Sequence, residues 1–136
     1  MHLVWAVKHE TKRVVVWIDH AVASLVHVEK DEAGVAKAPT SQVQRLSAKP
    51  PSSDVPSRHV RRDAKDFFRK VKRELKGADR ILIVGPSNAK LDFLRFIGKR
   101  SNSMESRVVG IETLDDSSDE QLLAYAKRYF ERSKAA

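Results

Sequence analysis

The decapeptide Ile81-Leu82-Ile83-Val84-Gly85-Pro86-Ser87-Asn88-Ala89-Lys90 runs four branched apolar residues into a Gly-Pro turn and then a polar cap. An unbroken apolar run of strand length predicts a strand covered on both faces, as a central parallel strand is, because a strand with one wet face alternates apolar with polar. Gly85 and Pro86 are expected to stop it. Ser87 or Asn88 then caps a helix whose apolar face is Leu91, Leu94 and either Phe93 or Ile97, and which ends near Gly98. Lys90 breaks a local rule, since it sets a cation in the first helical turn, where the macrodipole favours anions by roughly 0.3–1 kcal/mol. Either its ammonium joins the helix N–H groups in holding a phosphate, or it is a solvated surface lysine.

Upstream, residues 14–18 form a second all-apolar run rich in β-branched residues, closed by Asp19 and His20. Residues 23–28 are a third strand, with 19–22 as the hairpin link. Residues 30–40 read as a turn or short loop before a weak strand at 41–46. Three strands in succession imply an antiparallel meander. Residues 1–13 stand outside it as an N-terminal extension, an extra edge strand or a disordered start, and 14–133 form one domain.

Residues 47–57 hold Pro50, Pro51 and Pro56 among serines, a density of missing donors that makes a loop. Beyond it, Val60, Ala64, Phe67, Phe68, Val71 and Leu75 fall at the spacing of an amphipathic helix, ended by Gly77. Its opposite face carries Arg58, Arg62, Lys65, Arg69, Lys72, Arg73 and Lys76. Downstream of the central strand and its helix come a basic, serine-rich connection at 99–107, a short strand at 108–111 and a last helix over 118–132. That helix opens with a Ser118/Gln121 capping box and buries Leu122, Leu123, Ala126, Tyr129 and Phe130. The element order is β-β-β-α-β-α-β-α. With right-handed crossovers this is the α/β ribonuclease H-like three-layer sandwich, a mixed five-stranded sheet of order 3-2-1-4-5, in which residues 14–18 lie beside 81–84.

Composition limits function. No apolar run approaches the roughly 18–20 residues of a membrane span, so no membrane association is expected. With no cysteine among 136 residues, disulfides and thiolate metal sites are excluded and a cytoplasmic location is the plain expectation. The net charge of +8 suits a polyanionic partner. Nine Lys or Arg against three acids between residues 58 and 76 put most of the excess on one helix.

Catalytic patterns are sparse. A two-metal nuclease needs several carboxylates at the ends of neighbouring central strands. Asp19 is the natural first ligand and Glu112 a second, but the end of the fourth strand reads Gly85-Pro86-Ser87-Asn88 and supplies none. His20, His27 and His59 are candidate general bases with no partner fixed by spacing. The turn at 85–90 lacks the second glycine and the Lys-Ser/Thr ending of a phosphate loop, so no nucleotide cofactor is expected.

Residues 15–21 (Val-Val-Trp-Ile-Asp-His-Ala), 85–90 and 110–113 through 119–130 resemble a family of small bacterial proteins, the translational machinery proteins. That family is similar to the middle domain of class I release factors and of Pelota, the ribosome-rescue factor. The resemblance spans residues 14–130. It implies a ribosome- or tRNA-contacting domain with ribosomal RNA or tRNA as partner. In release factors the loop before the long basic helix carries a Gly-Gly-Gln hydrolytic tip, whereas residues 47–57 hold neither glycine nor glutamine. The expected phosphate contacts are Arg58, Arg61, Arg62, Lys65, Arg69, Lys72, Arg73, Ser87, Asn88, Lys90, Lys99 and Arg100. Two alternatives stand beside this reading. One is a metal-dependent hydrolase of RNA or peptidyl-tRNA using Asp19, His20 and His59, and the other is a domain that forms a homodimer through an edge strand.

Overall fold

The computed structural model describes residues 11–30, 36–37, 43–48 and 57–132. Within them the chain forms β1 (Arg13–Ile18), β2 (Val22–Lys30), β3 (Ala36–Lys37), β4 (Val43–Ser47), α1 (Ser57–Glu74), β5 (Arg80–Gly85), α2 (Ala89–Arg100), α3 (Asn102–Glu105), β6 (Val108–Thr113) and α4 (Asp119–Arg132). The predicted features at residues 1–10, most of the proline-rich loop and the side chains of Arg58, His59, Val60, Arg61 and Arg62 lie outside the described residues.

β1 and β5 are paired in parallel, Val14 beside Ile81 through Trp17 beside Val84. The two all-apolar runs therefore form the centre of the sheet. β6 adds in parallel to β5, and β2 adds antiparallel to β1. β4 lies along the first half of β2, from Val22 to Val26, and β3 along its end at Glu29 and Lys30. Counting β4 as the third strand, the order is 3-2-1-4-5, the ribonuclease H-like topology. β3 is an addition that the sequence did not signal, since two residues carry no period; its pairing with β2 and the burial of Ala36 fix them.

Because successive side chains of a strand face opposite ways, the central runs feed two cores. Val14, Val16, Ile18, Ile81 and Ile83 face α1 and α2 through Phe67, Phe68, Val71, Leu75, Phe93, Phe96 and Ile97. Val15, Trp17, Leu82 and Val84 face α4 through Leu122, Leu123, Ala126 and Phe130. This double cover is why neither central strand alternates with polar residues. On α4 the expected capping box is present: Gln121 N–H donates to Ser118 Oγ at 3.1 Å, and Ser118 N–H to Gln121 Oε1 at 2.9 Å.

Three helix expectations are corrected. α2 buries Ala89, Lys90, Phe93, Phe96 and Ile97, while Leu91 is 38% exposed. Leu94 is partly buried against this core, but Phe96 takes the place expected for Leu91, because Phe68 of α1 meets both Phe93 and Phe96, at ring-centroid distances of 5.4 and 5.8 Å. α2 also runs through Gly98 to Arg100, where Ser101 N–H closes it on the Ile97 carbonyl at 2.8 Å. A helical glycine costs about 1 kcal/mol, less than burying the last turn's Phe96 and Ile97 returns. In α1, Ala64 is exposed, and among the described side chains of the helix Phe67, Phe68 and Val71 are buried.

Candidate nucleic-acid interface

The links between elements decide which charges meet. α1 ends at Glu74 and β5 begins at Arg80, so the carboxyl end of α1 stands over the amino end of β5. The connection from α2 returns to the same end to start β6. There Ile81 N–H donates to the Arg107 carbonyl at 3.0 Å, and Arg107 Nη1 to the Ala78 carbonyl at 3.4 Å. Two segments far apart in sequence thus form opposite walls of a groove of about 500 Å³, lined by Arg69, Lys72, Arg73 and Lys76 on one side and Ser101, Ser103 and Arg107 on the other.

Among the described residues, five cations and no carboxylate line this groove. Arg69 is partly neutralised by Asp66, at 2.7 Å. Among the same residues no salt bridge engages Lys72, Arg73, Lys76 or Arg107. Lys72 and Arg73 also complement the negative end of the α1 dipole, which accounts for cations there. The dipole does not account for Arg107, nor for the two serine hydroxyls opposite. Ser101 Oγ caps α3 by accepting from Met104 N–H at 3.2 Å.

The other expected contacts are distributed elsewhere. Lys65 is exposed on α1, and Lys99 and Arg100 are exposed on the last turn of α2. The Arg100 guanidinium lies over the Phe96 ring at 4.0 Å from its centroid. Ser87, Asn88 and Lys90 sit at the carboxyl end of β5, the opposite end of the strand from the groove. Lys90 is not a solvated lysine: it is 9% exposed, and its Nζ donates to the Ser87 carbonyl at 2.7 Å. That bond, with Asp92 in the same turn, explains how a cation is tolerated at the start of α2. Asn88 makes no side-chain cap, and Ser87 Oγ accepts only a long bond of 3.4 Å from Ala89 N–H.

Of the residues of the hydrolase alternative, His59 lies outside the described side chains, and both candidate carboxylates are engaged in structural contacts. Asp19 Oδ1 accepts from both Ala21 and Val22 N–H at 2.7 Å, and Asp19 N–H donates to the Val22 carbonyl at 3.0 Å, so this carboxylate builds the β1–β2 turn. Glu112 accepts a hydrogen bond from Tyr125 Oη and belongs to β6, separated from β1 by β5. His20 Nε2 lies 3.7 Å from Asp92 Oδ2 on the exposed surface. Among the described residues no three His, Asp or Glu side chains come together as a metal-holding group. No described helix is long and apolar enough to cross a membrane.

What sequence reading did not single out is the convergence of charges at the amino ends of the parallel strands. Arg107 and Lys76 are the last residues of two basic segments, and nothing in their spacing shows that they line one groove.

No family model matches the sequence, and no curated protein matches it. Solved structures do. Pelota from Archaeoglobus fulgidus superposes with a TM-score of 0.54 at 18% identity, over 96% of this chain and 36% of that one. An archaeal translation termination factor, aRF1, gives 0.63 at 13% identity over 90% of this chain and 35% of that one. Pelota from Thermoplasma acidophilum gives 0.56 at 16% identity, over 98% and 36%. The chain therefore spans about a third of these proteins, and its fold is similar to that of domains of Pelota and of a translation termination factor.

Proposed function

We propose that this chain is an RNA-binding, translation-associated module that contacts ribosomal RNA or tRNA through the groove between α1 and residues 101–107. The observation that carries the reading is a concave surface with five cations, two hydroxyls and, among the described residues, no carboxylate. Phosphodiester oxygens are the ligand that such a lining matches, with arginine pairing two oxygens at once and lysine acting as a point charge. No described phenylalanine, tyrosine or tryptophan lines it. Recognition there rests on the backbone, not on stacking of bases or on sequence. The fold shared with a translation termination factor and with Pelota, and the resemblance of residues 14–130 to the bacterial translational machinery proteins, support translation as the setting. Without a Gly-Gly-Gln tip the proposed role is binding, not hydrolysis of the release-factor type.

The test is anisotropy of a labelled single-stranded ribosomal RNA fragment at two salt concentrations, for the wild type and the double variant Lys72→Gln/Arg73→Gln. Each lost phosphate contact lowers the slope of log K against log salt by ~0.7, so two lower it by ~1.4, and the wild type's advantage shrinks ~7-fold between about 50 and about 200 mM salt. Equal slopes for the two proteins, or no binding at low salt, would refute the function.

A further inference from the structure

We infer that the bound strand does not end at Lys76 but continues over the Lys76–Gly77 turn into a second cavity at the amino ends of β1 and β5, where Lys12 and Lys30 hold its next phosphates. This rests on the RNA-binding reading above and extends it to a path.

The second cavity measures about 560 Å³ and is lined by Lys12, Arg13 and Lys30 together with Glu29 and Glu74, and it shares Lys76 and Gly77 with the first groove. The shared rim is bare: Gly77 adopts φ +91°, and a Cβ built on it would meet nothing within 4 Å. A backbone can therefore cross the turn in close contact. The cations beyond it come from separate segments that the sheet gathers. β2 runs antiparallel to β1, so its end is brought to the start of β1, Arg13 beside Val28, while Lys12 is anchored by Asp79 and Arg80 N–H donating to its carbonyl at 2.8 and 3.1 Å.

These positive groups crowd one another. Burial, then the neighbouring Arg80, pushes the Arg13 guanidinium below its ordinary range, against the opposing pull of Asp79. Burial, then Arg13, does the same to Lys30, opposed by Glu131. A bound anion relieves that repulsion. Glu29 and Glu74 supply counter-charge within the lining itself, which the first groove lacks among the described residues. The second cavity is thus the weaker of the two. The route bends from the helix layer to the end of the sheet, which a flexible single strand follows and a stiff duplex does not.

Two labelled oligouridylates test this, one of about four nucleotides that fills a single cavity and one of about twelve that fills both. Lys12→Gln/Lys30→Gln is expected to lower the salt slope of the longer strand by ~1.4 and leave the shorter unchanged, whereas Lys72→Gln/Arg73→Gln lowers both. Lys12→Arg/Lys30→Arg should restore the wild-type slope, which separates charge from damage to the fold. If the longer strand loses nothing in Lys12→Gln/Lys30→Gln while Lys72 and Arg73 still count, the path is wrong and the groove stands. If the wild type binds neither strand at low salt, the RNA-binding reading falls with it.

Discussion

Two glycines with nearly the same steric clash should respond to alanine in opposite directions. At Gly85 an added Cβ would lie 2.2 Å from the Ile18 carbonyl oxygen and 3.3 Å from its carbon. Both atoms are backbone of β1, whose spacing from β5 is fixed by the parallel ladder between them. An unstrained contact needs about 3.5 Å, so the strands would have to part by more than ~1 Å at a fully packed place. Such overpacking costs about 1–3 kcal/mol, and an immovable backbone neighbour puts Gly85→Ala at the upper end, ~3 kcal/mol. With an unfolding entropy of ~2.1 cal/mol/K per residue, that lowers Tm by ~10 °C.

At Gly98 an added Cβ would lie 2.3 Å from a carboxylate oxygen of Glu105, but that oxygen is the far end of an exposed side chain, which swings away. What remains is the replacement of a helical glycine by the best helix former, worth about 0.5–1 kcal/mol. Gly98→Ala should raise Tm by ~2–3 °C. Thermal unfolding followed by circular dichroism, with urea titration to show an unchanged m-value, measures both. A loss below ~0.5 kcal/mol in Gly85→Ala would mean that β1 and β5 are not held as closely as the geometry states. Because Gly85 is at the far end of β5 from the groove, Gly85→Ala should keep the wild-type salt slope of RNA binding wherever it is folded.

Asp19→Ala should cost about 1–2 kcal/mol by orphaning the turn N–H groups of Ala21 and Val22, whereas Asp19→Asn, which keeps an acceptor oxygen, should cost much less; urea unfolding distinguishes them, and equal losses would mean the charge matters and not the turn. Burial, then Glu112, holds the Tyr129 hydroxyl above its usual 10.0. Above that pH the unfolded chain loses this proton before the folded one does. Tyr129 therefore contributes stability that is present at neutral pH and is lost as pH rises above about 10 through its folded value. Tyr129→Phe should flatten that part of an alkaline unfolding profile, and an unchanged profile would refute the assignment.

The sheet was legible in the sequence because its two central strands are buried on both faces, and an apolar run so short and so rich in branched residues has few other ways to be covered. The face of α2 was legible in part: Phe93, Ile97 and Leu94 lie on it as their period puts them, whereas Leu91 is exposed and Phe96 takes its place, which only the position of Phe68 on α1 decides. The candidate site was half legible. The basic stripe from Arg69 to Lys76 stands out as a run on one helix, but Arg107, Lys12 and Lys30 join it only through parallel pairing and an antiparallel return, which no local count of charge contains.

The same topology moves attention from one end of the sheet to the other. In open α/β sheets ligands usually sit at the carboxyl ends of the strands, and the Gly85–Lys90 turn invites that reading here. Its lysine is instead engaged with the Ser87 carbonyl, and the Asp19 carboxylate at the same end is engaged in a turn. At the amino ends Lys12, Lys30, Lys76 and Arg107 come from four different segments and, among the described residues, make no salt bridge, although Arg107 also donates to the Ala78 carbonyl. Gathering like charges costs free energy unless opposite charge offsets it, and here the chain's own carboxylates do so only in part. The end of the sheet where cations from separate segments gather, rather than the end where lysine and carboxylate already have their partners, is therefore the one we propose as the polyanion-binding surface.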